Sequence, residues 1–420
     1  MARTCAIRGW LFALALAVAP VAGAEEFEAL VPESPARLLP PARAMGPDFH
    51  VVDPVAGDGL MHRYVLETRY GRFDAYGTEG VAARVHEVEA LATLARTTDV
   101  GVVVGAVGER ITGSARSVVD VAAHPVDTVV GIPRGISHLF RGYAAEAREL
   151  GESAGPPGGG GAHVAPPSTS DAKRYVSRYF GVSASERAWY RKLNVDPYTD
   201  NEPLRHAIAR LARVDATTQF GLKFAPLPGI PYAGEMGRAM DAIYNEHPAV
   251  LRERRQARLA GYGLGPGEVR AFESTLVLNP TRQQLLDEAA QRLDGVAGRD
   301  QLFRHAIGIA SDPEAAVYVR SALGLAARHA ASPLATILPG IRMPAGRAAD
   351  GTVVVVAAFD AVRWTAEVAA AEAEARAALP PDTAAPELWL AAPPSPRAAE
   401  ALAARGWRVH VEGEPRDIPP

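Results

Sequence analysis

The sequence predicts an α+β protein, mostly α, in three units: an N-terminal β-hairpin with helices, a central all-α domain, and a small C-terminal βαβαβ unit. Three observations carry this. The apolar residues change period along the chain, from about two to about 3.6 and back again. The stretch GESAGPPGGGGAHVAPPSTSDA at 151–172 has the composition of a linker. The run Thr352-Val353-Val354-Val355-Val356-Ala357-Ala358 is apolar throughout, as in a strand buried on both faces.

The chain opens MARTCAIRGWLFALALAVAPVAGAEE. Arg3 and Arg8 precede an apolar run of 12 residues, Trp10 to Val21, and Ala22-Gly23-Ala24 supplies small residues. This is the pattern of a secretory signal peptide over 1–24, cleaved after Ala24. The apolar run is shorter than the ~20 residues a membrane-spanning helix needs. Export to the periplasm or beyond the cell is therefore expected. Cleavage would leave 396 of the 420 residues and remove Cys5, the single cysteine. The mature chain would then have no disulfide, no thiolate nucleophile and no cysteine ligand for zinc.

Lysine and arginine number 44 against 48 acidic residues, for a net charge of −4. That balance gives no electrostatic footprint for nucleic acid. The local run Arg252-Glu253-Arg254-Arg255-Gln256-Ala257-Arg258 reads as the solvated face of a helix. No later segment has 18 consecutive apolar residues, so no transmembrane helix is expected after cleavage.

Residues 25–47 are rich in Pro, Ala and Glu without a period and read as a loosely ordered extension. The unit at 48–150 begins with β candidates at Phe49–Val52, Met61–Thr68 and Arg72–Tyr76, with Tyr70-Gly71 as the turn of a hairpin. A lone hairpin is marginal in water and needs a helix against it. Val81, Val85, Val88, Leu91 and Leu94 give that helix one apolar face between Glu79 and Arg96, with Arg84, Glu87 and Glu89 off it. Residues 97–141 mix valines with Gly101, Gly105, Gly108 and Gly113 and predict closely packed small-residue helices. An alternative there is weak association with a membrane surface through an amphipathic segment. Gly108 to Gly113 has the spacing of a phosphate loop, but Ser114 stands where the motif needs lysine, so no nucleotide is expected.

From Lys173 to Ala331 the period is helical. Ser183 or Ser185, Asn201 with Pro203, His247-Pro248, Asn279-Pro280 and Ser311-Asp312-Pro313-Glu314 mark helix starts. From 332 to 420 three strands, 352–358, 387–391 and 407–411, alternate with helices at 366–378 and 396–405. This order implies right-handed βαβ units and a parallel sheet.

Gly151-Glu152-Ser153-Ala154-Gly155 fits G-x-S-x-G and resembles the esterase signature. A nucleophile elbow needs a strand before it and a helix after it. Ala144 to Leu150 read as helix, and Pro156-Pro157 with four glycines follow, so Ser153 is rejected as a nucleophile. The eleven histidines form neither H-x-x-x-H nor H-E-x-x-H. Asp196, Asp200, Asn201 and Glu202 lack the spacing of a calcium loop, and Asp200 and Asn201 read as helix caps. No metal and no cofactor are expected. Asp360, just past the first parallel strand, is the remaining catalytic candidate. Phosphotransferases of the haloacid dehalogenase type resemble this placement, but their second aspartate is Val362 here.

The runs DGLMHRYVLETRYGRFDAYG, HPVDTVVGIPRGISHLF, ERAWYRKLNVDPYTDNEPL and LDGVAGRDQLF resemble a family of exported bacterial proteins with no assigned function. The resemblance implies one coherent exported protein and brings no catalytic residue. The leading expectation is a non-enzymatic binding or assembly protein of the cell envelope, with an envelope protein as its partner and 97–141 as its contact surface. The alternative is a hydrolase whose site lies between the helical and C-terminal units and uses Asp360.

Overall fold

The computed structural model describes residues 26–96, 182–218 and 237–412. The segments read as a signal peptide (1–24), as small-residue helices (97–141) and as a linker (151–172), together with Ser153, lie outside these residues. The described chain is α+β, with an N-terminal sheet, a helical middle and a C-terminal sheet.

Two short helices, α1 (Pro35–Leu38) and α2 (Pro41–Ala44), precede the first sheet. Its strands are β1 (Met45–Gly46), β2 (Phe49–Val51), β3 (Ala56–Gly57), β4 (His62–Thr68) and β5 (Gly71–Tyr76), all antiparallel. β4 is central. β5 pairs along one edge, and β2 and β3 share the other. His62, Tyr64 and Leu66 alternate inward along β4, as the period of two requires. The sheet packs on α3 (Gly77–Ala95), whose Val81, Val85, Val88, Leu91 and Leu94 are all buried.

That core continues into the residues from 182 onward. Helices α4 (Ala184–Leu193) and α5 (Glu202–Thr218) add Trp189, Leu193, Leu204 and Ile208 to it. The hairpin unit and the helices α4 and α5 therefore share one core. Ser183 opens α4 with a capping box, its hydroxyl taking the Glu186 amide while the Glu186 carboxylate takes the Ser183 amide. Glu87, read as lying off the apolar face of α3, is buried instead. Its carboxylate accepts from Arg84 Nη1 (2.6 Å), from Asn201 Nδ2 (3.2 Å) and from the Thr199 hydroxyl. Asn201 also caps α5 through the Leu204 amide, and Asp200 holds Arg84.

The helical middle continues with α6 (Gly237–Asn245), α7 (Pro248–Gly261), α8 (Pro266–Ser274), α9 (Pro280–Arg292), α10 (Asp300–Ile307) and α11 (Asp312–Ala331). The arginine run on α7 is not a solvated face. Arg252 and Arg255 both bind Glu273, each through its Nε at 2.8 Å, and Arg258 binds Asp287. Arg255 and Glu273 are each only 1% exposed. The sequence shows the positive run but not the carboxylates that α8 and α9 bring to it.

The second sheet has the order β10-β9-β8-β7-β6. β8 (Val353–Ala357), β9 (Glu387–Leu390) and β10 (Arg408–Val411) are parallel, joined through α12 (Ala366–Ala377) and α13 (Pro396–Ala404). Two antiparallel strands absent from the sequence reading, β6 (Leu334–Ile337) and β7 (Ala345–Ala348), extend the far edge. Val354 and Val356 face the core of the helical middle, while Val353, Val355 and Ala357 face α12, α13 and, from the first unit, Leu60 and Met61. The valine run is thus covered on both sides.

Candidate functional site

The candidate site is the crevice beyond the carboxyl ends of the parallel strands, where open α/β sheets bind ligands. β8 delivers Phe359 to Thr365 into it. Phe359 O accepts the Ala391 amide (3.0 Å) and Val362 O accepts the Ser395 amide (2.9 Å), so the loops after β8 and β9 are tied together. Thr365 and Ser395 then cap α12 and α13 with their hydroxyls.

The other wall comes from the N-terminal unit. Leu60 O takes the Ala361 amide (3.0 Å) and Gly59 O takes the Arg363 amide (2.9 Å). Gly59 has a φ of +92°, and a Cβ there would lie 3.2 Å from Thr365 Cγ2, so the close approach needs glycine. Asp58 Oδ1 accepts the Leu60 and Met61 amides and turns the chain into β4. Burial raises the Asp58 carboxyl above its ordinary range, opposed by those amides.

Asp360 sits at the centre, 9% exposed. Its Oδ1 accepts the His62 amide (3.0 Å) and its Oδ2 the Thr78 amide (2.9 Å). Thr78 lies in the first turn of α3, where amides have no partner within the helix and a negative charge is favoured. The His62 ring has Nδ1 at 3.6 Å from Asp360 Oδ1 and Nε2 at 3.8 Å from Glu33 Oε1, both beyond hydrogen-bond length. Burial raises the Tyr64 phenol well above its ordinary value, aided by the charges of Asp360 and Glu33, and keeps it neutral. A cavity of about 10 Å³ lies beside Glu33, His62 and Arg363. That is about the room of one water molecule.

The structure thus brings Asp360 against the N-terminal sheet, not to a cleft between the helical and C-terminal units. Val362, in the place of a second aspartate, is buried in the core. Asp196, Asp200 and Asn201 are held apart in other bonds: Asp196 accepts from the Tyr198 amide and the Thr281 hydroxyl. Among the described residues no three His, Cys, Asp or Glu side chains gather as a metal site, and no helix is long and apolar enough to cross a membrane.

Residues 26–47, read as loosely ordered, form part of the site as a strap. Glu28 N donates to Trp364 O (2.8 Å). The Glu28 carboxylate accepts from Trp364 N and from Ser395 Oγ, each at 2.5 Å. Arg397 Nε donates to Glu26 O (3.1 Å), and Arg363 pairs with Glu33. Glu33 and Val55 exchange both main-chain bonds. No local signal in the sequence marks Glu28, Glu33 or His62, because each finds its partner through a contact distant in the chain.

Comparison with family models, with characterised proteins and with solved structures gives no match.

Proposed function

We propose that the protein is an exported, non-enzymatic binding or assembly protein of the cell envelope. One observation carries this reading furthest: the crevice where a parallel sheet would hold a substrate is occupied by the chain's own N-terminal unit, with β4 and α3 on Asp360 and the strap across the loops beside it. Asp360, the acid placed there, has both oxygens engaged by main-chain amides. Its geometry suits a clamp that joins two units better than a general base, which must reach a proton on a substrate. On the strap itself, Phe27, Leu30 and Val31 are exposed at 45, 38 and 62%, apolar surface open to a partner. The signal-peptide pattern supports export, and the valine/glycine stretch 97–141 supplies a second candidate surface.

Crosslinking and capture of the protein from its own cell envelope, with and without residues 97–141, tests the reading. A defined partner is expected. A free monomer that instead turns over an ester or phosphoester substrate, with turnover lost in Asp360→Asn, would overturn it in favour of the hydrolase.

A further inference from the structure

We propose that the groove between the loops after β8 and β9 is a recognition site for an acidic, extended peptide segment, which residues 26–33 occupy in cis. The proposal rests on the binding reading above and names the chemistry of the partner.

The strap is attached in an unusual way for an N-terminal segment. Its large apolar side chains Phe27, Leu30 and Val31 are exposed, and Leu30 and Val31 border the small cavity beside His62. The attachment is polar. Glu28 N and Trp364 O pair through the main chain, and the Glu28 carboxylate returns to Trp364 N. Ser395 Oγ gives that carboxylate a second donor, and Arg363 Nη1 stands 4.0 Å away. Arg397 takes the Glu26 carbonyl, and Arg363 takes the Glu33 carboxylate. This is a main-chain pairing plus a carboxylate pocket with charged flanks. Any extended segment with suitably spaced acids can reproduce it.

The pocket is built without help from the strap. Trp364 and Ser395 lie at the starts of α12 and α13, whose positive ends converge there. Ser395 Oγ accepts the Ala398 amide (3.1 Å), which directs its own hydrogen towards Glu28. The bond from Ser395 N to Val362 O fixes the distance between the two loops. A site preorganised by its own fold, and held by polar bonds at most part-buried, can exchange one acidic segment for another. The strap then acts as a competitor that an incoming partner must displace.

The experiment uses the full chain with Glu28→Ala and Glu33→Ala, which weakens the strap and leaves the groove intact. The probe is a fluorescein-labelled peptide with the sequence of residues 25–34, EEFEALVPES. Anisotropy should show saturable binding at least about tenfold tighter than to the wild-type chain, where the strap reduces the fraction of open groove. A peptide with alanine in place of Glu28 should lose about tenfold or more, and Ser395→Ala in the variant should do the same. A folded variant that binds no better than wild type, or that binds both peptides alike, overturns the proposal. Should the double variant lose its far-UV circular dichroism, Glu28→Gln takes its place with the same peptides and the same criteria. If envelope capture yields a partner but the peptide does not bind, only the groove assignment falls. If neither occurs, the binding reading falls with it.

Discussion

Replacing Asp360 separates a clamp from a catalyst. In Asp360→Ala the amides of His62 and Thr78 lose the oxygens that accept them at 3.0 and 2.9 Å. A buried donor left unpaired costs about 1–3 kcal/mol, so the loss for two is about 2–6 kcal/mol. Asp360→Asn keeps one acceptor oxygen but turns an amide NH2 towards a second donor, and should lose about half as much. The assay is hydrogen exchange at the two amides, read beside the urea midpoint. Each unpaired amide should exchange about ten- to a hundredfold faster, since 1.4 kcal/mol is a factor of ten. The alanine variant should be the less stable of the two. Variants that unfold at the wild-type urea midpoint, with the Thr78 amide still protected, would refute the clamp.

Three further outcomes follow from the same structure. Burial, with the positive Arg342 adding to it, lowers His305 from its ordinary 6.5 to about 4, so the ring stays neutral in the fold. The unfolded chain takes up that proton first, so this stability is complete above pH 6.5 and is lost as pH falls towards 4. The loss amounts to about 3 kcal/mol, and urea midpoints at pH 7.5, 5.5 and 4.5 should show a shallower acid limb for His305→Gln. Glu273→Ala removes the buried carboxylate that Arg255 and Arg252 share and should cost about 3–5 kcal/mol, whereas Glu273→Leu with Arg255→Met should melt near wild type; equal melting of the two variants would remove the argument. Gly77 has a φ of +70° and would place a Cβ 2.7 Å from Met61 Cε, so Gly77→Ala should destabilise by about 1–2 kcal/mol from backbone strain alone, measured by thermal melting.

The elements most legible in the sequence are those whose burial leaves a period. The five residues Val81 to Leu94 mark one face of α3, and VVVVA marks a strand covered twice. Polar caps were equally readable, because Ser183, Asn279 and Ser311 act within three residues of themselves. β6 and β7 were not, since AGRA has no strand pattern and β6, at the sheet edge, has only β7 as its strand neighbour. Gly346 suits that position because a Cβ would meet Leu334 Cδ1 at 2.8 Å, a constraint that appears only when the strands are paired. The strap was hidden for a related reason. Its Pro- and Ala-rich sequence forms no period, and its order comes from Trp364 and Ser395, more than 300 residues away.

The position of Asp360 was legible, but its role was not. An aspartate after a parallel strand predicts a site because the crevice there is usually open. Its partners here are main-chain amides, which any residue type can supply, so no motif could show that the crevice was already taken. The same contact explains why three units read from composition join as they do. The N-terminal sheet sends Leu60 and Met61 into the core beneath β8, while α3 shares a core with α4 and α5. The N-terminal unit therefore bridges the helical middle and the C-terminal sheet, and Asp360 fixes that bridge at the first turn of α3. A partner that displaced the strap would leave this bridge in place, because the Asp360 bonds involve β4 and α3 and none of residues 26–33. Exchange at the groove can then occur without unfolding the unit that frames it.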